Sequence, residues 1–305
     1  MAWWSDLRWQ GRSVRVVTTG QRIPLTPEVW HEVALGFLLF LIVYPCGLWR
    51  RWRAGPGPRL GFTPQQARPW HLIWNAAWVA GLRLSRASRA DVIVAFEDTA
   101  HSPAPQTDTP LINARATDVR KSTVTAVADQ VFALPLAVDP TTHSGPVVEK
   151  GEANGVHDGR VCQAPCPAQP DKSYQRLVEN QIGDEVVDLR TPCVDGIPIC
   201  VFVKRRPLAS RFANHNSRCD LLQPLEVFRP EEIEAIKDFN DKMGLEWGGL
   251  DILRDRTSGE ITVVDSNKTD MGPPLVLPLH QRLDACQQLG QALTQLIFQK
   301  AGPPP

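Results

Sequence analysis

The sequence predicts an α/β protein with α+β lobes, and three observations carry that expectation. Short apolar strands alternate with amphipathic helices, as in RLGFT, PWHLIWNAAWVAGL and DVIVAFED. Two apolar strands near the C-terminus, LDIL and ITVVD, flank the polar turn RDRTSGE and read as a hairpin. At 305 residues the chain is long enough for two or three lobes around sizeable cores.

Residues 1–55 stand apart as an N-terminal extension. From Val33 to Trp49 the chain carries no charge, a run of 17 residues at the lower edge of membrane-spanning length. Trp30 and Trp49 bracket the run and Arg50, Arg51 and Arg53 follow at once, which suits a membrane interface. Its position inside the chain and the lack of a cleavage pattern set it apart from a signal peptide. The expectation is a helix at 33–49 that contacts a membrane, with a buried helix as the alternative. Arginines also precede the run, so charge asymmetry fixes no orientation.

After the break AGPGP, residues 56–110 read strand, helix, strand, a small βαβ domain with parallel strands. Trp70, Trp74 and Trp78 fall on one helical stripe and read as core packing. Glu97 and Asp98 end the second strand, where open α/β sheets place their ligand crevices.

A polar connection, 99–117, leads to Asp118 as the expected N-cap of a helix with Val124, Val127 and Val131 on one face. Lys121 lies in its first turn, near backbone N–H groups that favour phosphate. LPLAVDP then reads as a strand. Lys150 tips a further short strand and leads into a loop with Gly151, Gly155 and Gly159, whose backbone can approach phosphate oxygens closely. The pattern is neither a Walker A loop nor a GxGxxG fingerprint.

In VKRRPLASRF, Lys204 and Arg206 share one face of a strand while Arg205 points the other way. Phosphoryl transfer needs such positive charge and alignment around a metal-bridged phosphate. PEEIEAIKDFNDKMGLEWGG reads as a helix that starts at Pro230 and stops at Gly244. A closing helix holds Leu283, Leu289, Leu293 and Leu296 inward, and the tail 301–305 is expected to be disordered. On the hairpin, Asp265 and Asn267 share a face and Asp251 converges from the neighbouring strand. Two carboxylates and an amide oxygen suit Mg²⁺.

Composition narrows the rest. Lys+Arg and Asp+Glu balance at 33 each, which gives no basic footprint for nucleic acid. Seven scattered cysteines, an odd number, argue for a reducing compartment. Cys162 and Cys166 lie near His157 but lack a second ligand pair, so free thiols fit better than a metal cluster.

The order Asp251, Asp265, Asn267 resembles the metal-binding end of the ATP-grasp superfamily, where such residues hold magnesium against ATP. The segments DEVVDLRTPCVDGIPICVFVKRRP and RFANHNSRC are similar to that family's central strands. Asp188, Arg190, Arg206 and either Asn214 or Asn216 then stand at its D-x-R, Arg and Asn positions. The resemblance covers about residues 110–300. It implies an ATP-grasp-like two-lobed nucleotide-binding fold over 111–300, preceded by the small domain and the apolar helix. It also implies ATP and Mg²⁺ as cofactors, with Asp251, Asp265 and Asn267 on the metal. Lys121, Lys150, Gly155, Gln175, Val178, Glu179 and Lys204 go to the nucleotide. Within that set the hinge Gln175 to Val178 would pair with adenine through backbone, and Glu179 would take the ribose. Arg176 stands where the family often has an acid. Arg190 and Arg206 are assigned to catalysis, at the transferring phosphate or the acceptor carboxylate.

The implied reaction is ATP-dependent activation of a small-molecule or peptide-like carboxylate as an acyl phosphate, followed by attack of an amine or similar nucleophile. Two alternatives stay open: a kinase acting on a hydroxyl, and a nucleotide-binding regulatory or membrane-scaffold protein without turnover. An ATP-using domain is expected in the cytoplasm, held at the inner face of the membrane if residues 33–49 engage it.

Overall fold

A computed structural model describes residues 6–17, 22–55, 57–152, 158–212 and 216–302. It opens with a three-stranded antiparallel sheet, β1 (Leu7–Gln10), β2 (Ser13–Val16) and β3 (Arg22–Pro24). Thr26 then caps helix α1 (Pro27–Ala54), its hydroxyl accepting from Val29 N at 3.4 Å, with Pro27 in the first turn. The helix is longer than the uncharged run 33–49, continuing through Pro45 and the arginines to Gly55. Its inner face is docked on the rest of the chain. Leu39 and Val43 are buried, Phe40 stacks on Trp74 with centroids 5.7 Å apart, and Tyr44 meets Trp78 at 4.6 Å.

The small domain consists of β4 (Arg59–Pro64), α2 (Leu72–Val79), β5 (Arg83–Leu84), β6 (Val92–Phe96) and β7 (Leu111–Ile112). Its strands are parallel, in the order β5-β4-β6-β7. Every residue of β6 is buried, as a continuously apolar parallel strand requires. Trp70 precedes α2, so only Trp74 and Trp78 of the expected stripe lie on the helix, where they pack against α1.

Helix α3 (Lys121–Val131) begins three residues after Asp118, with Arg120 at its N-cap. Asp118 still tethers the first turn, because its carboxylate accepts from Arg120 N at 3.0 Å and Thr123 Oγ1 at 2.8 Å. The segment LPLAVDP is not a strand. It makes a single bridge, Ala137 to Gln175, and prolines at both ends withhold the donors a ladder needs. A second sheet follows, antiparallel in the order β10-β8-β9, from β8 (Gly145–Gly151), β9 (Arg160–Ala164) and β10 (Lys172–Arg176).

The chain then builds its largest sheet from β11 (Gln181–Ile182), β12 (Glu185–Val194), β13 (Ile197–Pro198), β14 (Val201–Pro207) and β15 (Arg218–Leu222). Helices α4 (Pro224–Val227) and α5 (Pro230–Met243) lead into the hairpin β16 (Trp247–Arg254) and β17 (Ile261–Asn267). The order is β15-β14-β12-β16-β17, with β11 and β13 paired to β12. Gly244 ends α5 in the left-handed region at φ 66°, a conformation that favours glycine. The closing helix, α6 (Leu279–Ala301), buries Leu289, Leu293 and Leu296 against the small domain. At Gly290 a Cβ would stand 2.5 Å from Ala76 O, so only glycine allows α6 this close to α2.

Period-two alternation gives the large sheet two different faces. Leu189, Val201, Val203, Leu250, Ile252 and Val263 point to one side and are buried with Val124, Ile236 and Phe239 of α3 and α5. Asp188, Arg190, Lys204, Asp251 and Asp265 stand at alternate positions and point to the other side. Further along the strands, Val194, Phe202 and Trp247 share one core with α1, α2 and α6, so the small domain and the large sheet are continuous.

The loop after β17 is clamped to the start of α2. Leu72 N donates to Asp270 O at 2.9 Å and Gly272 N to Trp70 O at 3.1 Å. His71 lies buried within this clamp, its Nδ1 accepting from Arg68 N at 2.8 Å. Burial, reinforced by Arg68, lowers its pKa from 6.5 to about 4. The unfolded chain therefore binds the proton more readily than the folded one between those values, and stability falls as pH drops through that window. His71→Asn, which keeps an acceptor and removes the titration, should flatten this dependence in urea unfolding between pH 7 and pH 4. An unchanged slope in the variant would contradict it.

Candidate active site

Strand register assembles the site. Arg190 on β12 lies opposite Asp251 on β16, and Asp251 lies opposite Asp265 on β17. Two residues along, Gly249 faces Asn267; toward the other edge, Lys204 on β14 faces Asp188 on β12. Directly opposed residues point the same way, so all these positions share the charged face. The pairing skips from Asp251↔Asp265 to Ile252↔Val263, a bulge that leaves Val264 unpaired. Lys150, at the end of β8, donates to the freed carbonyl of Val264 at 3.4 Å. The second sheet thus reaches over the charged face through this lysine.

Five cations and four carboxylates meet here: Lys121, Lys150, Arg190, Lys204 and Arg206 with Asp188, Asp251, Asp265 and Asp270. Arg190 is the centre of the network. Its Nη1 lies 3.0 Å from Asp251, its Nε donates to Asp270 Oδ1 at 3.1 Å, and its Nη2 also pairs with Asp270. Arg206 pairs with Asp188, and Lys121 with Asp265. At Gly249 any Cβ would collide with the Arg190–Asp270 pair, so a bare backbone is required there.

Burial dominates the electrostatics, and the neighbours decide the outcome. It lowers the pKa of Lys150 against the opposing pull of Asp265, and that of Lys204 against Asp251. Asp188 is raised by burial, with Arg206 working against it. Burial also acts to raise Asp251, yet Arg190 and Lys204 outweigh it and hold this carboxyl well below the usual range. In return, Asp251 and Asp270 overcome desolvation and push Arg190 up. At Asp251 the surrounding cations thus outweigh burial and favour the ionised carboxylate.

The donor chemistry fits a hard divalent ion. Asp251 and Asp265 present carboxylates side by side on paired strands, and Asn267 follows on the same face. Their oxygens are held in the present arrangement: Asp265 Oδ1 accepts from Lys121 and from Ser266 N, and Asn267 Oδ1 from Thr269 N at 2.8 Å. Among the described residues no group of three or more His, Cys, Asp or Glu side chains is gathered for a metal. A cation here would rest on two carboxylates and the amide.

The structure places the remaining candidates as follows. Gln175 is buried, with Nε2 donating to Thr125 Oγ1 at 2.8 Å, and Val178 packs with Leu136 and Val264. Both lie where the chain passes from β10 into the large sheet. Glu179 is exposed beside them, its N–H donating to Asp255 at 3.2 Å. Gly155, His157 and Asn214 lie outside the described residues. Asn216 is described, and its Oδ1 is buried without a hydrogen-bond partner.

Sequence reasoning omits Asp270 and Lys268, although both belong to the polar run NKTD that directly follows the hairpin. Lys268 is buried beside a small cleft that Thr63, Phe96, Glu97, Ser102 and Asn113 also line. Burial lowers its pKa, with Glu97 opposing, and its Nζ lies 3.5 Å from Ser102 Oγ. The cleft opens at the C-terminal ends of β4 and β6, the crevice position of an open α/β sheet.

No protein-family profile matches the sequence, and no curated protein matches it. Solved structures do match in fold. D-alanine–D-alanine ligase from Bacillus anthracis, complexed with ATP, superposes with a TM-score of 0.50 at 9% identity, over 80% of this chain and 99% of that one. A RiPP-associated ATP-grasp ligase of Chryseobacterium gregarium, in complex with ADP and a leader and core peptide, gives 0.48 at 10% identity, over 82% and 98%. The ATP-grasp ligase PsnB with its minimal precursor gives 0.39 at 17% identity, over 59% of this chain and 63% of that one, under two thirds of its length. The chain has the ATP-grasp fold.

The Arg190–Asp270 contact is a buried ion pair whose loss leaves an uncompensated charge. Asp270→Ala should cost about 3–5 kcal/mol of stability in urea unfolding. A loss under about 1 kcal/mol, the range of exposed pairs, would contradict this description.

Proposed function

We propose that this protein is an ATP- and Mg²⁺-dependent ligase that activates a carboxylate as an acyl phosphate for attack by an amine or similar nucleophile. The observation that carries the reading is the register that sets Asp251 against Asp265 and brings Lys121 and Lys150 to them. This couples an oxygen-donor pair to a lysine-lined roof, the arrangement a triphosphate with its metal needs. Asp251, Asp265 and Asn267 would hold Mg²⁺, which when bound supplies Lewis-acid charge neutralisation on the phosphates.

The chain's own residues supply the rest. Lys121 and Lys150 exchange their present carboxylate and carbonyl partners for phosphate oxygens. Gln175 to Val178 lines the adenine edge and Glu179 the ribose. Arg190 and Arg206, fixed by Asp270 and Asp188, direct positive charge at the transferring phosphoryl group or at the acceptor. In the first step a carboxylate oxygen of the substrate attacks the γ-phosphorus as the bond to the β-phosphate oxygen breaks and ADP leaves. In the second the nucleophile attacks the acyl carbon, phosphate leaves, and the new bond forms with loss of a proton. Peptide-bound relatives in this fold make a peptide-like carboxylate a reasonable first substrate class to screen. ATP use places these lobes in the cytoplasm.

Asp265→Ala should reduce ADP release by about two to three orders of magnitude while the chain stays folded by circular dichroism. Lys150→Ala should weaken Mg-ATP binding about tenfold or more by calorimetry, the size of one charge-assisted hydrogen bond. Release stimulated by amines identifies a ligase, whereas release stimulated by an alcohol with a phosphorylated product identifies a kinase. Wild-type turnover in the Asp265 variant would remove the site assignment.

A further inference from the structure

The outer face of α1 has no partner among the described residues, and it is largely apolar from Trp30 to Trp52. Trp30, Val33, Phe37, Leu38, Leu41, Leu48, Trp49 and Trp52 are all exposed, Trp52 at 83%. On a helix these positions fill a continuous arc close to half the circumference, wider than the two-position seam of a coiled coil. The opposite arc is not available to a lipid core. Leu39 and Val43 are buried, Gly47 lies against the backbone of Trp78, Arg282 Nη1 donates to Leu35 O at 3.1 Å, and Arg51 sits 4.0 Å over the Trp78 ring. The helix is fastened from Leu35 to Arg51.

We infer that α1 lies flat in the interface of an anionic lipid bilayer, with the body of the protein above it, and does not span. Spanning would require tearing the docked arc from α2 and α6, although Pro27–Arg53 is by length and composition sufficient to cross. Three further features favour lipid over a second copy of the chain. Residues 1–55 carry seven arginines (Arg8, Arg12, Arg15, Arg22, Arg50, Arg51 and Arg53) against three acids (Asp6, Glu28 and Glu32), in a chain whose total charge is balanced. That local excess attracts anionic headgroups and repels its own duplicate. Of the chain's ten tryptophans, six fall in the same 55 residues, and among the described ones Trp9, Trp30, Trp49 and Trp52 are exposed. Indole rings sit at the headgroup level by preference. Arg50, Arg51 and Arg53 cluster at the C-terminal end of the helix, basic residues beside an apolar face as in interfacial helices.

The test uses the purified full chain with vesicles of phosphatidylcholine alone or with about one third phosphatidylglycerol. The expected result is co-sedimentation with the anionic vesicles, weakened in about 1 M salt, where the screening length is about 3 Å. Alkaline carbonate should release the protein. Phe37→Glu combined with Leu41→Glu, both on the exposed arc, should lower vesicle binding about tenfold or more while leaving the unfolding midpoint and Mg-ATP binding unchanged. Three results would overturn the inference: no binding to either vesicle, carbonate-resistant retention that shows a spanning helix, or a dimer that the same double variant disperses without any lipid binding.

Discussion

Arg190 holds the molecule's charged face together. It is buried on the central strand of the largest sheet and divides its donors between Asp251 on the next strand and Asp270 in the loop after β17. One guanidinium therefore fixes a carboxylate of the proposed metal site and the loop that grips the small domain. Removing water from three charges is expensive, and their close pairing offsets that cost. The geometry also explains a glycine. Gly249 lies beside the pair, and any side chain there would displace it.

The two faces of the large sheet follow from the same alternation. Apolar residues at every second position bury against α3 and α5, and the opposite face gathers Asp188, Arg190, Lys204, Asp251 and Asp265. A one-residue slip of β17 would exchange the faces, placing Asp265 in the core and Val264 among the lysines. Register and chemistry are thus a single constraint, and the bulge at Val264 adjusts it locally so that a backbone carbonyl meets Lys150.

This is why the hairpin was legible in the sequence. Period two is visible in VVDSN without any knowledge of the partner strand, and so is the shared face of Lys204 and Arg206. The helices α5 and α6 announce themselves through Pro230, Gly244 and the leucine spacing. Long-range relations were hidden. Asp270 meets Arg190 across 80 positions, and nothing in NKTD tells which strand it faces. Hydropathy marked α1 as apolar, yet it does not distinguish a docked arc from an exposed one; only the stacking on Trp74 and Trp78 does. LPLAVDP has strand composition, but its prolines cannot supply ladder donors, and Asp118 caps from two residues beyond the N-cap position.

The central claim is that the charged face beneath Lys150 grips a nucleotide through a divalent ion held by Asp251 and Asp265. The most direct measurement is a crystal structure with a non-hydrolysable ATP analogue and Mn²⁺, located by anomalous scattering. The account predicts a peak within coordination distance of both carboxylates, with the triphosphate beneath Lys121 and Lys150. Nucleotide bound elsewhere, or a metal that ignores both aspartates, would contradict it.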